Sequence, residues 1–203
     1  MICIIDYGVG NLYSLKSSFE KIGVEIVVTN QRSVIENSDK IILPGVGAFE
    51  DAAKKLEESG LKNILIEQKE KGKPILGICL GMQLLFDKSY EYGEHDGLGF
   101  IKGEIRPIAD VIPKDYKIPH IGWNALNFKK DSKLFKYIND GDYVYFVHSY
   151  YATGCDNVIA NSEYGALLTA AVEKDNVFGC QFHPEKSGNV GLSILRAFCE
   201  LEA

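Results

Sequence analysis

The sequence has no apolar stretch approaching the roughly 18 residues that a membrane-spanning helix needs. No basic leader is expected. Met1-Ile2-Cys3-Ile4-Ile5-Asp6 reads as a strand rather than as a secretion signal. None of its five cysteines forms a Cys-x-x-Cys pair, and the odd count argues against a disulfide framework. A reducing, cytoplasmic setting is expected. There is no internal repeat, no low-complexity tract and no long linker, so the 203 residues are expected to form one domain, 1–203. The net charge of −6 excludes broad electrostatic binding of nucleic acid. No phosphate-binding loop occurs, and Gly8-Val9-Gly10 lacks the third glycine of a dinucleotide fingerprint. No metal site or cofactor is expected.

What remains is ordinary globular material, 46% hydrophobic and 25% charged. From Met1 to about Phe86, short apolar runs alternate with helical patterns. Strands are predicted at Ile2–Asp6, Val24–Val28, Lys40–Leu43 and Pro74–Ile78. Helices are predicted where Leu12, Leu15, Phe19 and Ile22 recur, over Ala48–Glu58, over Leu61–Lys71 and from Met82 to Phe86. This alternation implies an α/β, doubly wound, mostly parallel sheet with helices on both faces. The second half reads as strands with short turns, around Phe100–Ile105, Tyr143–His148, Val158–Asn161, Leu167–Val172 and Val177–Phe182. These predict antiparallel additions to the sheet. An amphipathic helix over Ser187–Leu201 closes the chain.

One five-residue string concentrates the chemistry. Gly77-Ile78-Cys79-Leu80-Gly81 lies between an apolar strand and a helical pattern. Gly-x-Cys-x-Gly in that place is a nucleophile elbow with sulfur in place of a hydroxyl. The glycines tolerate a cramped turn, and a following helix would favour thiolate at its N-terminus. A thiol nucleophile needs a base, and the base an orienting group. Of the four histidines, His183 in Gln181-Phe182-His183-Pro184-Glu185 ends an apolar strand as Cys79 does. Glu185, two residues on, can accept the other ring N–H of His183. Pro44-Gly45-Val46-Gly47-Ala48-Phe49 also joins strand to helix. Its glycines permit close backbone approach, so it is a candidate oxyanion loop together with the Leu80 N–H.

The ordered pair Gly-Ile-Cys-Leu-Gly-Met-Gln and late His-Pro-Glu resembles the triad-type, or class I, glutamine amidotransferases, whose sheet is flavodoxin-like. Asp6-Tyr7-Gly8-Val9-Gly10-Asn11, Pro44–Phe49, Pro119-His120-Ile121-Gly122-Trp123-Asn124, His148-Ser149-Tyr150 and Gln181–Lys186 extend the resemblance over nearly the whole chain. They resemble the branch that supplies ammonia for histidine biosynthesis. That resemblance implies L-glutamine as substrate, Cys79 as nucleophile, His183 as base and Glu185 as its orienting group. It implies substrate contacts from Gly45, Val46, Gly47, Leu80, Gln83, Glu91, His148 and the Ser149-Tyr150 backbone, with Glu91 facing the substrate ammonium. It also implies that a peptide bond in Gly45-Val46-Gly47 must reorient to complete the oxyanion hole.

A separate (β/α)8-barrel cyclase is the implied partner in a heterodimer, met through Trp123, Asn124, Tyr145 and Lys186. Taken singly, several of these residues read differently. Gln83 fits the polar face of a helix, His148 a strand end, and Trp123, in a Gly-Trp-Asn turn, core packing. Cys3, Cys180 and Cys199 read as small core residues. Two other activities share these motifs in part: a paralogous glutaminase for surface-sugar amidation, and a cysteine peptidase or deglycase of similar fold.

Overall fold

The structure, a computed structural model, describes residues 1–202. The first half is β1 (Ile2–Ile5), α1 (Leu12–Lys21), β2 (Ile26–Thr29), α2 (Arg32–Asn37), β3 (Lys40–Leu43), α3 (Phe49–Glu58), α4 (Leu61–Glu70) and β4 (Ile75–Ile78). A single helical turn, α5 (Leu80–Gln83), follows Cys79. Then come β5 (Phe86–Ser89), β6 (His95–Asp96), β7 (Ile101–Pro107), β8 (His120–Ala125), β9 (Asn127–Phe128) and β10 (Tyr143–His148). The chain ends through β11 (Tyr150–Thr153), β12 (Val158–Glu163), β13 (Leu167–Lys174), β14 (Val177–Cys180) and α6 (Gly188–Cys199). No helix among the described residues is long and apolar enough to cross a membrane.

Eight strands make the main sheet in the order β2-β1-β3-β4-β14-β13-β12-β9. The first five run parallel, and β13, β12 and β9 extend the sheet antiparallel. The parallel strands are apolar on both faces because both are covered. Ile2, Ile4, Ile42, Leu76, Ile78 and Phe178 face a layer with Leu15 and Phe19 of α1 and Ile194, Leu195 and Phe198 of α6. The alternate residues Cys3, Ile5, Ile41, Leu43 and Ile75 face Ile35, Phe49, Leu56 and Leu65 on α2, α3 and α4. Cys3 and Cys180 are fully buried, and Cys199 packs against the core edge.

The predicted α/β class and the parallel half are present, with three departures. The helix expected over Met82–Phe86 is one turn that starts earlier. Leu84, Leu85 and Phe86 offer their carbonyls to the N–H groups of Leu98, Gly99, Phe100 and Ile101 instead. Phe86 thereby opens a strand of a second sheet, β11-β7-β5-β6. The antiparallel strands are therefore not one extension of the main sheet. β10 pairs only with β8, in a two-stranded ribbon running from Tyr143↔Ala125 to His148↔His120. The Gly-Trp-Asn segment is part of that ribbon, not a turn: Trp123 pairs with Tyr145.

Candidate active site

Cys79 sits where β4 ends, at φ 54° and ψ −112°. This backbone conformation costs a side-chain-bearing residue on the order of 1–3 kcal/mol, so the surroundings must enforce it. The Cys79 N–H donates to the Cys180 carbonyl at 2.7 Å, and the Cys79 carbonyl accepts from the Gln83 N–H at 3.1 Å. The glycines around it are required by contact. A Cβ on Gly77 would lie 2.6 Å from the Gly81 oxygen, and one on Gly81 would lie 1.9 Å from the Leu43 oxygen. A Cβ on Gly45 would lie 2.7 Å from the Gly81 nitrogen. The elbow is thus packed backbone on backbone against the end of β3. The brevity of α5 leaves the sulfur a single turn of unpaired N–H groups rather than a long helix dipole.

His183 lies three residues past β14, the strand beside β4, so both side chains emerge at the carboxyl edge of adjacent parallel strands. Pro184 starts a 3-10 turn there. The His183 N–H donates to the Tyr145 carbonyl at 2.9 Å, and the Ser187 hydroxyl donates to the His183 carbonyl at 2.6 Å. The His183 ring donates from Nδ1 to the Glu185 carboxylate at 2.8 Å, which leaves Nε2 for the sulfur. Both side chains are almost wholly buried, 3% and 1% exposed. Burial alone would push the imidazole down. Its hydrogen bonds to Cys79 and Glu185, with the charges of both, outweigh that and raise the pKa to about 9. The pair favours a protonated imidazole beside the Cys79 sulfur.

A cavity of about 520 Å³ opens over the sulfur. Val46, Gly47, Leu80, Gln83, Glu91, His148, Ser149 and Tyr150 line it together with Cys79 and His183. Gly45 lies behind, pressed on α5. Gln83 does not lie on a solvated helix face: its Nε2 donates to the Tyr150 carbonyl at 3.2 Å and to Gln181 Oε1 at 2.9 Å. Glu91 accepts from the Phe49 N–H at 2.7 Å, capping α3 where the oxyanion loop enters it. Burial raises its carboxyl above the ordinary range. His148 donates from Nδ1 to the Tyr150 carbonyl at 2.8 Å, so its Nε2 accepts from His120 Nδ1 at 3.0 Å. Burial holds both imidazoles neutral, with pKa values lowered to about 4.

The four residues assigned to a partner lie together on the β8–β10 ribbon and the 3-10 turn. Trp123 is 54% exposed, stands edge-on to Tyr145 at 6.1 Å, and Lys186 Nζ lies over Tyr145 at 5.9 Å. Core packing of the tryptophan is thereby excluded. Asn124 is engaged within the chain, donating to the Glu163 carbonyl at 2.6 Å. Sequence reasoning assigned nothing to Gln181, His120 or Tyr92, all of which the fold brings to this region. The only signal for Gln181 was its place two residues before His183.

A cysteine on a strained elbow, a buried histidine–glutamate pair and a flavodoxin-like sheet define a cysteine-dependent amidotransferase. The sequence model of the family Glutamine amidotransferase class-I matches residues 3–200, and the chain belongs to that family. Imidazole glycerol phosphate synthase subunit HisH of Caldanaerobacter subterraneus subsp. tengcongensis is 51% identical over 99% of this chain and 98% of that protein. The subunit of the same name from Aquifex aeolicus is 50% identical over 96% and 94%. Among solved structures, a glutamine amidotransferase superposes with a TM-score of 0.77 at 18% identity, over 98% of both chains. PurLQS from Thermotoga maritima superposes at 0.73 with 21% identity, over 98% of this chain and 96% of that one. Both structural likenesses speak to the fold.

Proposed function

We propose that the chain is the glutaminase subunit of an imidazole glycerol phosphate synthase, hydrolysing L-glutamine to glutamate and ammonia for histidine biosynthesis. The observation that carries this is the buried Cys79–His183–Glu185 constellation opening into the cavity over Gln83 and Glu91. Roughly half of the residues are shared with HisH subunits over the full length.

In this reading the Cys79 thiolate attacks the side-chain amide carbon of glutamine. The carbonyl electrons move to oxygen, which the Leu80 N–H and the Gly45-Val46-Gly47 loop receive. The His183 imidazolium gives its proton to the departing nitrogen, the C–N bond breaks, and ammonia leaves a γ-glutamyl thioester. Neutral His183 then takes a proton from water, whose oxygen attacks the thioester. Glutamate departs and the thiolate–imidazolium pair returns. Glu185 holds the ring throughout. Glu91 faces the substrate ammonium, and Gln83 lines the cavity beside the Ser149-Tyr150 backbone to which it donates.

Free ammonia becomes ammonium in neutral water, so its use calls for an enclosed acceptor. A (β/α)8-barrel cyclase docked on the face with Trp123, Asn124, Tyr145 and Lys186 supplies one. The test is ammonia release from glutamine, with and without a barrel cyclase and its ligand. An electrophilic glutamine mimic should label Cys79, and Cys79→Ala should abolish turnover while leaving the complex intact. Full release by the Ala variant would overturn the assignment of the nucleophile. Failure to pair with such a cyclase would overturn the assignment of the acceptor.

A further inference from the structure

Gln181 is fully buried, and its backbone N–H donates to the Ala170 carbonyl at 2.8 Å. It stands one residue beyond the last paired position of β14, Cys180, as Cys79 stands one residue beyond its partner Ile78 on β4. Parallel register therefore sets the two side chains next to each other. Gln181 Nε2 lies 3.8 Å from Cys79 Sγ, and its Oε1 accepts from Gln83 Nε2 at 2.9 Å.

The direction of these amides follows from a group that has no choice. The Tyr150 carbonyl can only accept. The Gln83 group 3.2 Å from it must be the amide nitrogen. That nitrogen also meets Gln181, which must answer with its oxygen. The NH2 of Gln181 is then left to face the sulfur. The same carbonyl orients His148 from the other side, at 2.8 Å. One backbone oxygen thus sets the polarity of a chain that ends as a donor at the nucleophile.

We propose that Gln181 is a positioning residue for Cys79: its amide donates to the thiolate and holds Sγ toward the cavity, and Gln83 locks that amide against flipping. The proposal rests on Cys79 being the nucleophile. It adds an electrostatic contact to the sulfur besides that of His183. A donor to a buried anion is worth far more than the same contact in water.

Two variants of the full chain test it. Gln181→Leu removes donor and acceptor at similar size. Gln181→Glu keeps the acceptor for Gln83 and turns an acceptor toward the sulfur. Alkylation of Cys79 by iodoacetamide is followed from about pH 6 to about pH 10, with peptide-level mass spectrometry separating it from the other four cysteines. Both variants should alkylate Cys79 about tenfold more slowly near neutral pH, with rates at the alkaline end within about twofold of the parent. The Glu variant should lose about tenfold in kcat for glutamine at nearly unchanged KM.

A pure packing role would lower the melting temperature and leave the pH profile of alkylation unmoved, and that result overturns the proposal. If the Leu variant does not fold, the Glu variant carries the test alone. A parent protein that releases no ammonia and escapes the glutamine mimic at Cys79 would overturn the proposed function. A parent that does both, with variants of unaltered profile, would overturn only the role of Gln181.

Discussion

Replacing Glu185 by Gln isolates the charge behind His183. The variant keeps the size of the side chain and an oxygen that can still accept from Nδ1 at the 2.8 Å position. It removes a carboxylate that is 1% exposed, where neither water nor salt screens it. The rise of His183 from 6.5 to about 9 corresponds to about 3 kcal/mol in favour of imidazolium, net of the burial that opposes it. Cys79 supplies the larger favourable share and Glu185 the next. A charge-assisted hydrogen bond is worth about 1.5–3 kcal/mol more than its absence. The variant should therefore lose about ten- to a hundredfold in kcat/KM.

The sign of the pH effect is fixed. The proposed mechanism uses the proton on His183, and in the parent that proton persists through neutrality and leaves near pH 9. With the carboxylate gone, imidazolium is less favoured, so the alkaline limb of kcat/KM moves down by about one to two pH units. Ammonia release in the presence of the cyclase, measured across pH, reads both quantities. A variant within twofold of the parent, with its alkaline limb unmoved, would show that Glu185 does not support the base.

The glycines of the site should divide sharply. Gly81→Ala drives a Cβ to 1.9 Å from the Leu43 oxygen, so backbone must shift by about an ångström or more. The cost of about 1–3 kcal/mol should lower the melting temperature by several degrees and abolish most turnover. Gly47→Ala meets nothing within 4 Å but imposes φ 93° on a residue with a side chain. It should leave melting within about 3 °C and still reduce kcat, because the loop's conformational options narrow. Glu91→Gln keeps an acceptor for the Phe49 N–H and loses the charge for the substrate ammonium. It should raise KM about tenfold with little change in kcat, whereas Glu91→Ala, which also uncaps α3, should lower kcat as well.

The His120–His148 pair predicts acid sensitivity. Folded, both stay neutral until about pH 4; unfolded, both take up protons near 6.5. The unfolded state therefore binds more protons between those values, and stability falls as pH drops through that window. Melting curves from about pH 7 to about pH 4 should show this, and His120→Gln, which keeps a donor for His148, should flatten the slope by about half.

Much of the frame was legible because its signals are local. The runs Ile2–Ile5, Lys40–Leu43 and Ile75–Ile78 are buried throughout and, Lys40 apart, carry no polar side chain. The elbow and the His-Pro-Glu turn carry their chemistry within a few residues of chain. The rest depends on partners far away in sequence. β5 (Phe86-Asp87-Lys88-Ser89) and the two-residue β6 have no period of their own; β5 exists because β7 pairs beside it, and β6 because it pairs with β5. The apolar Leu84-Leu85-Phe86 would continue a helix, but residues 98–101 claim its carbonyls. Trp123 looked like a turn residue because Gly122 precedes it, yet Gly122 at φ 136° sits opposite Phe146 in a regular ribbon. Gln181 could not be assigned from sequence at all, since its proximity to Cys79 is a consequence of the β4–β14 register.

The site is made of two halves held by different means. The thiol half is fixed by backbone. Three glycine positions leave no room for a methyl group, the Cys79 N–H is taken by Cys180, and the His183 N–H is taken by Tyr145. Strain at Cys79 persists because so many contacts over-determine it. The oxyanion half is tied only at its ends. Tyr7 donates to the Pro44 carbonyl at 2.6 Å on one side, and Glu91 accepts from Phe49 on the other. Between them Val46 is 43% exposed and Gly47 stands in open space. Cys79 and His183 are therefore held by packed backbone, while Val46 and Gly47 have no packing that fixes their orientation. Movement of Val46 and Gly47 breaks no packing, whereas Gly45 is held against α5. Glu91 touches both the loop's exit, through the Phe49 N–H, and the cavity.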